Sequence, residues 1–371
     1  MSASRPGLAR TDWELSLIVL VILLVGILMV YSASYGYAFM RGGDYEGKPM
    51  YFVKRQILFA AIGLLALFVT WRLDYHVYMR YVMLILWGTL VTLFIMAVVG
   101  RWILGGRTSV QPVEAAKIGA IIYLAIWLAS KGDQIRQLNM ALAPFIILVG
   151  FMAGLVAAQP DYSTALLLAA AATAMFYTCG ATLKQMLLLI VVGGALLILV
   201  GIVAPYRIER IMAWRAGPFS DPQGATMQTT QSLAALTSGG ILGIGPGQSA
   251  QKFGIYAAHT DYLYAVIGEE WGFVGAVFVI LLYAFLIWRG LRIASYASDV
   301  YGRLLAVGIV SWIAFQAALH ISVVTGSLPV TGTVLPMMSY GGSSLITCLA
   351  SVGILLNISR ESSDSRWGQD S

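Results

Sequence analysis

Residues 304–359 read LLAVGIVSWIAFQAALHISVVTGSLPVTGTVLPMMSYGGSSLITCLASVGILLNIS and contain no Asp, Glu, Lys or Arg. A helix needs about 20 apolar residues to cross the core of a bilayer, so this stretch is too long for a single span. Pro329 and Pro336 lie in a glycine-containing segment near its middle, and such residues interrupt helices. We therefore predict two membrane-spanning helices here, at about 303–326 and 341–358.

The same charge-poor pattern extends over the rest of the chain. Of its 371 residues, 59% are hydrophobic and only 11% are charged, and the mean hydropathy is +0.81. A soluble domain carries about 25% charged residues, which excludes a water-soluble globule. The sequence predicts an all-α integral membrane protein with ten transmembrane helices. The other eight apolar stretches lie at about 15–34, 53–71, 79–100, 113–130, 140–158, 163–180, 185–204 and 262–288.

The distribution of Lys and Arg predicts the orientation of these helices. Basic residues are frequent in both tails and in every second short loop, and such loops stay in the cytoplasm. We predict a single polytopic domain, 1–371, with short cytoplasmic tails at 1–14 and 359–371. A large outward loop at about 205–262 then lies between helices 7 and 8. The formal net charge of +6 fits this orientation and anionic lipid surfaces, and does not indicate nucleic-acid binding.

Several basic residues depart from this trend. Arg101, Arg210 and Lys252 are predicted on the outer side, and Lys117 lies within a span. Long loops cross the membrane regardless of charge, which covers 205–262 but explains neither Lys117 nor Arg101. An outward basic cluster near the membrane suits a lipid-linked phosphate, because Arg offers a planar fork and Lys a point charge to phosphate oxygens.

The stretch 249–275, SAQKFGIYAAHTDYLYAVIGEEWGFVG, is a polar segment that runs into an apolar helix pattern. Asp261 lies where the outer loop meets this span, and charged groups at such places are candidates for function. Thr260 or Asp261 could equally serve as the N-cap of the helix, which is a common role for both residue types. His259 is close enough in sequence to influence Asp261.

Two further acidic positions stand near predicted span ends. Glu114 and Lys117, in QPVEAAK, are three residues apart, so they share a helix face and can form an ion pair. Pairing is what makes such charges tolerable in a span, and the pair can be purely structural or part of a site. Asp161, in QPDYSTALL, begins another predicted helix.

These motifs together resemble the SEDS family (shape, elongation, division and sporulation proteins), which includes RodA and FtsW. HTDYLYAVIGEEWGFVG with LPMMSYGGSS is the most specific match, and the likeness covers nearly the whole chain. Arg101 begins an Arg-Trp motif, Glu114 and Lys117 match a Pro-x-Glu-x-x-Lys motif, and Asp161 matches Gln-Pro-Asp. The family commonly has Leu-Gly after this Asp, and it typically has Asn where this chain has His320.

The resemblance implies a membrane glycosyltransferase that polymerises lipid II into peptidoglycan strands. Its donor is α-linked and its product β-linked, which implies inversion in one direct displacement. The matching aspartate, Asp261, is implied as catalytic, and we assign it as the general base. The implied substrate site comprises Arg101, Glu114, Lys117, Asp161, Arg210, Lys252, His259 and Ser339. In it, the four basic residues would stabilise the leaving diphosphate, and Glu114 and Asp161 would order the cavity or hold a divalent cation (Mg²⁺ or Mn²⁺). We expect no organic cofactor.

The resemblance also implies a cellular setting. We expect a multi-pass protein of a bacterial plasma membrane with its active site on the outer face. Expected partners are a class B penicillin-binding protein (a transpeptidase) and other proteins of the elongation or division complex; the sequence does not decide between elongation and division. Two alternatives stay open: a flippase for lipid-linked precursors, since intramembrane charges also suit transport, and a non-catalytic scaffold for a cell-wall synthase.

Overall fold

The fold is described from a computed structural model. It describes residues 12–40, 50–98, 111–159, 161–203, 205–221, 223–224 and 226–367. Within these ranges the chain forms helices, turns and irregular segments, and contains no β-strand. The prediction of an all-α protein is therefore confirmed for the described residues.

Thirteen α-helices follow one another along the described chain. Their bounds are α1 Trp13–Met40, α2 Tyr51–Arg72, α3 Val77–Arg80, α4 Val82–Val98, α5 Pro112–Ala129, α6 Ala143–Ala157, α7 Tyr162–Thr178, α8 Leu183–Val203, α9 Pro205–Ala216, α10 Met227–Ser238, α11 Leu263–Ser295, α12 Val300–Val324 and α13 Gly342–Trp367. A π-helical turn, Leu138–Leu142, leads into α6. Each of the ten predicted apolar stretches overlaps an apolar helix, and the stretch 79–100, whose last two residues lie outside the described chain, meets both α3 and α4.

Seven helical segments of the described residues are long and apolar enough to cross a membrane. They comprise α1 as far as Tyr35, α2, α5, the segment Leu138–Ala157, α11, α12 and α13 as far as Glu361. Three shorter apolar helices accompany them: Val82–Val98, Tyr162–Thr178 and Leu183–Leu196. The chain is thus an integral membrane protein built from α-helices.

The buried centre of the bundle contains α12 and α13. Small residues allow α13 to approach α2 closely, because an added Cβ at Gly353 would lie 2.4 Å from the carbonyl oxygen of Leu67. In the same contact, Thr70 Oγ1 donates a hydrogen bond to the carbonyl of Ala350 at 2.8 Å. Close backbone approach of this kind is typical of helices that associate in membranes.

The predicted outer loop at 205–262 contains two helices, α9 and α10. On α9, Trp214 Nε1 donates to the carbonyl of Gly326 at 2.8 Å and Arg210 Nη1 donates to the carbonyl of Val330 at 3.3 Å. These bonds hold α9 against the segment between α12 and α13. The part of the sequence predicted as a long loop therefore has its own secondary structure.

A break at Gly272 divides α11 into a shorter first part, which begins at Leu263, and a longer second part, which ends at Ser295. Gly272 has φ 68° and ψ −164°, a conformation that side chains disfavour. Four backbone hydrogen bonds link the two sides of the break to residues 240–245. They run from Phe273 N to Gly240 O, Val274 N to Ile241 O, Ile244 N to Glu269 O and Gly245 N to Glu270 O. The glycine-rich loop thus supplies the backbone partners that a broken helix lacks.

Candidate active site

A polar cavity of about 340 Å³ lies between α5, α7 and α12. The segment between α12 and α13 and the residues just before α11 complete its wall. Its lining comprises Gln111, Glu114, Lys117, Asp161, Thr164, Leu167, Thr260, Asp261, Gln316, Gly332, Thr333, Val334, Tyr340, Gly341, Gly342, Ser343 and Ser344. Four residues predicted from sequence, Glu114, Lys117, Asp161 and Asp261, thus meet in one cavity, although Asp161 and Asp261 are far from the other two in the chain.

Asp261 lies in the cavity wall just before α11. This helix begins at Leu263, its N-cap residue is Tyr262, and no side chain caps it. The alternative that Thr260 or Asp261 caps this helix is therefore wrong. Burial raises the pKa of Asp261 to about 6, and a hydrogen bond from Thr260 opposes the rise. A carboxylate with such a pKa is ionised at pH 7 and is a better proton acceptor than an ordinary aspartate.

Glu114 and Lys117 form a buried ion pair in the first turns of α5. Lys117 Nζ lies 2.9 Å from Glu114 Oε1 and 2.8 Å from Glu114 Oε2. The side chain of Lys117 is 3% exposed and that of Glu114 is 9% exposed. Lys117 Nζ also lies 4.8 Å from the ring centroid of Trp312, within the range of a cation–π contact. The predicted pairing is present, and it leaves the pair at the edge of the cavity.

Asp161 combines a structural task with a place in the cavity. Its Oδ1 accepts a hydrogen bond from the backbone N–H of Thr164 at 3.0 Å, so it is the N-cap of α7. Among the described residues that line the cavity, Glu114, Asp161 and Asp261 carry carboxylates and Lys117 carries an ammonium group. The cavity therefore has a negative balance of charge.

Lys252, which we predicted in the substrate site, lies elsewhere. Its Nζ is 3.2 Å from Glu270 Oε1, 3.1 Å from Ser32 Oγ and 2.7 Å from the carbonyl of Gly247. Glu270 also accepts from Ser32 Oγ and from the N–H of Gly247. This cluster borders a second cavity of about 390 Å³ beside α1. Lys252 is thus paired away from Asp261, and it ties the loop before α11 to α1.

The other predicted residues lie around the first cavity or outside the described chain. His259 is buried, its ring centroid is 4.5 Å from that of Phe52, and burial lowers its pKa to about 4, so it is neutral at pH 7. Ser339 is buried, and its Oγ accepts from the N–H of Leu335 at 3.0 Å. Arg210 reaches Val330 as described above, and Arg101 lies outside the described residues.

A second cluster of ligand-type side chains lies near the other end of α13. Asp74, His76 and Glu361 each offer one atom, and these atoms lie within 4.8 Å of one another. Such groups are suited to a divalent metal ion. Gly342, at the cavity, and Glu361 are separated by 19 residues of α13, about 28 Å of helix. A metal ion held by this cluster would therefore lie far from Asp261.

Sequence reasoning missed several lining residues. Gln111 and Gln316 are uncharged, and nothing in the immediate sequence of Gln111 separates it from an ordinary polar residue at a span end. Thr333 and Tyr340 belong to the segment between α12 and α13; Tyr340 lies within the LPMMSYGGSS motif, whereas Thr333 precedes it. A polar Gln inside the charge-free stretch 304–359 is the signal that would have identified Gln316, since polar side chains in a span need partners.

The chain has clear relatives among known proteins. Residues 13–364 match the family model of the cell cycle proteins FtsW, RodA and SpoVE. Stage V sporulation protein E of Bacillus subtilis is 38% identical over 361 residues, which cover 95% of this chain and 97% of that protein. A probable peptidoglycan glycosyltransferase FtsW of Trichlorobacter lovleyi is 38% identical over 362 residues, covering 95% of this chain and 94% of that protein.

A solved structure has a similar fold. It is described as showing structural coordination of polymerization and crosslinking by a peptidoglycan synthase complex. One of its chains superposes with a TM-score of 0.76 at 27% identity, and the match covers 95% of this chain and 98% of that one. The likeness in sequence and in fold therefore extends over nearly the full length.

Proposed function

Because this chain belongs to the FtsW, RodA and SpoVE family of cell cycle proteins, we propose that it is a peptidoglycan glycosyltransferase that polymerises glycan strands in cell elongation or division. Its donor and acceptor are lipid II molecules or a growing chain end. The observation that carries this proposal is the cavity in which Asp261, with its raised pKa, lies together with the buried Glu114–Lys117 pair.

Asp261 acts as the general base in this proposal. Its carboxylate accepts the proton of the acceptor's GlcNAc 4-hydroxyl as that oxygen forms a bond with the anomeric carbon of the donor's MurNAc. The bond between this carbon and the diphosphate oxygen breaks at the same time, and undecaprenyl diphosphate leaves with the bonding electrons. One displacement inverts the anomeric centre, in keeping with an α-linked donor and a β-linked product.

The departing diphosphate needs positive charge near it. Of the four basic residues proposed for this role, Lys117 has the strongest support, because it lies in the cavity. Arg210 touches the segment that forms one wall, Lys252 pairs with Glu270, and Arg101 lies outside the described residues. Glu114 and Asp161 give the cavity carboxylate oxygens of the type that Mg²⁺ and Mn²⁺ prefer, so a divalent cation held by them is part of the proposal.

The proposed topology has ten transmembrane helices with both termini in the cytoplasm. The domain 1–371 is then a single polytopic unit with tails at 1–14 and 359–371, and its active site faces outward. Among the described residues, seven apolar helical segments of span length and three shorter apolar helices, all at the predicted places, support the number of spans. The contacts of α9 with Gly326 and Val330 and of α10 with Gly326 support a loop at 205–262 that lies on the same side of the bundle as the segment between α12 and α13.

The proposed partners are a class B penicillin-binding protein, which crosslinks the strands, and other proteins of the elongation or division complex. The support is the similar chain found in a peptidoglycan synthase complex that combines polymerization with crosslinking. Placing the two activities in one complex lets new strands reach the transpeptidase as they form.

The test is polymerisation of purified lipid II by the purified full-length protein, with and without its transpeptidase. We expect strands whose length is read on a gel, and Asp261→Asn should lower the rate by about 10²–10⁴-fold. Movement of lipid II across a vesicle bilayer without polymer would instead identify a flippase. If Asp261→Asn polymerises at the wild-type rate, Asp261 is not the base. If the wild-type protein neither polymerises nor moves lipid II, with or without the transpeptidase, the result favours a scaffold for another polymerase.

A further inference from the structure

The irregular segment between α12 and α13 crosses the wall of the cavity. We call its residues 330–334 the strap. Gly332 lies at its centre, is exposed to the cavity and has φ 71°. A methyl group built on Gly332 would lie 3.6 Å from Oδ2 of Asp261, which is ordinary van der Waals contact. The position of the strap therefore sets how much room there is beside the carboxylate of Asp261.

Four carbonyl groups of the strap accept hydrogen bonds from side chains on three helices. Irregular backbone inside a membrane protein must find such partners, because water and a regular ladder are both lacking. The four bonds run from Arg210 Nη1 to Val330 O at 3.3 Å, from Ser163 Oγ to Thr331 O at 3.0 Å, from His320 Nδ1 to Thr333 O at 2.7 Å and from Gln316 Nε2 to Val334 O at 3.0 Å. Only Gly332 lies between the two pairs of anchored carbonyls.

The bond from His320 defines the tautomer of its ring. A backbone carbonyl can only accept, so Nδ1 of His320 must carry the proton. The amide of an asparagine places its nitrogen at the same distance from Cβ as Nδ1 of histidine, because both atoms follow Cγ. An asparagine at position 320 can therefore make the same bond to Thr333, whereas glutamine places its nitrogen one atom farther out.

Gln316 links the strap to the buried ion pair. Trp312 Nε1 can only donate, and it lies 2.8 Å from Gln316 Oε1. This contact turns the amide so that Nε2 faces Val334 O. Trp312 in turn lies under the ammonium group of Lys117. Trp312, Gln316 and His320 are four residues apart, so one face of α12 carries the whole row.

We propose that His320 and Gln316 are positioning residues, which together with Ser163 and Arg210 hold the strap so that Gly332 stays against Asp261. The strap then limits where an acceptor hydroxyl can approach the carboxylate. This inference rests on the proposed function of Asp261, but the anchoring of the strap is a property that is measurable without catalysis. Arg210 takes part as an anchor of the strap through its bond to Val330.

The test compares two amides at position 320 in the purified full-length protein. Val330→Cys provides a probe on the strap, and peptide-level mass spectrometry measures how fast maleimide labels that position. We expect His320→Gln to accelerate labelling about tenfold or more, and His320→Asn to leave it near the value with histidine. The polymerisation assay uses proteins that keep Val330. In them, His320→Gln should lower kcat by about 10²-fold, since a misplacement of a catalytic group by about 1 Å can cost that much. KM should change little.

Ser163→Ala provides a second variant on the opposite side of the strap, should His320→Gln fail to fold. Its matched control is Ser351→Ala, which removes a buried hydroxyl bonded to the carbonyl of Thr347 within α13, away from the strap. Ser163→Ala should accelerate labelling at position 330 and Ser351→Ala should not.

Equal labelling in His320→Gln, Ser163→Ala and the parent overturns the proposal, as does a loss of kcat in His320→Asn as large as in His320→Gln. If the parent makes no polymer, the proposed function fails while the labelling rates still decide whether these side chains anchor the strap.

Discussion

Removing one member of the Glu114–Lys117 pair is the perturbation with the clearest energetic consequence. Lys117→Met keeps the length of the side chain but leaves the Glu114 carboxylate in a site where it is 9% exposed. Glu114→Gln keeps the shape of the carboxyl group and leaves the Lys117 ammonium 3% exposed. In each case a buried charge loses the partner that lies within 2.9 Å of it in the native protein.

The expected cost follows from this burial. Breaking a buried pair from one side costs about 3–5 kcal/mol, because the remaining charge is left uncompensated. Replacing both members by groups of similar volume is often close to neutral, so Glu114→Gln with Lys117→Met should recover most of the loss. At about 2–4 °C per kcal/mol, each single variant should melt about 6–20 °C lower than the parent. Lys117→Met also loses the cation–π contact with Trp312, so its decrease in melting temperature should be the larger of the two.

The assay is thermal unfolding of the four proteins of a double-mutant cycle in the same detergent, followed by intrinsic tryptophan fluorescence. Lys184→Met is the matched control, because Lys184 is an exposed lysine at the start of α8. It should change stability by no more than about 0.5 kcal/mol. The double variant should regain stability but not polymerisation, since Lys117 is the proposed cation in the cavity.

Additive losses in this cycle would refute the reasoning. If the double variant melts as low as the sum of the two single losses predicts, the two side chains do not stabilise each other and the observed distances carry no coupling energy. A single variant that melts like the Lys184→Met control would show that the site is more hydrated than its exposure indicates.

Three further outcomes can be measured on the same preparation. Because burial raises the pKa of Asp261 to about 6, polymerisation should decline as the pH is lowered through about 6, and a rate that is flat from pH 8 to pH 5 would contradict the base role. A folded-state pKa that is raised makes Asp261 lower the stability of the protein at pH values above the pKa of an aspartate in the unfolded chain, and not at lower pH. Asp261→Asn should therefore have a higher melting temperature than the parent at pH 8, and this difference should shrink towards pH 4. An equal melting temperature at pH 8 would count against burial of the carboxylate. Lys252→Met should lower the melting temperature by leaving Glu270 unpaired, and adding Glu270→Gln should restore it; if lipid II binding in detergent stays lost after that rescue, Lys252 binds substrate directly.

The helices and most charged residues of the candidate site could be predicted from the sequence alone. A charge-free stretch of about 20 residues must form a helix in a bilayer, because only a helix pairs all of its backbone N–H and C=O groups within the stretch. The helices around 303–326 and 341–358 could therefore be predicted from composition. Glu114 and Lys117 share a helix face by spacing alone, and their ion pair is present in the structure. The motif around Asp261 indicated a site, and the structure brings Asp261 to the same cavity as that pair.

Other features depend on long-range packing that spacing does not encode. Lys252 looked like a member of an outward basic cluster, yet Glu270 and Ser32 bind it in a separate cluster beside α1. The strap contains no charged residue, and two of its four anchors, Ser163 and Arg210, lie on helices that are distant in sequence. The assembled bundle decides which side chains of a helix face which loop. The contact between Gln316 and the carbonyl of Val334 therefore became evident only from the structure.

The break at Gly272 has a consequence for how α11 tolerates changes in length. Inserting one residue into a continuous helix rotates everything beyond it by about 100°. In α11, backbone bonds to residues 240–245 hold both sides of the break, at Glu269 and Glu270 before Gly272 and at Phe273 and Val274 after it. The loop therefore fixes the rotation of the helix on each side of the glycine. A one-residue insertion beyond Val274 would turn the rest of α11, while these bonds keep the orientation of Glu269, Glu270 and the approach to Asp261 unchanged.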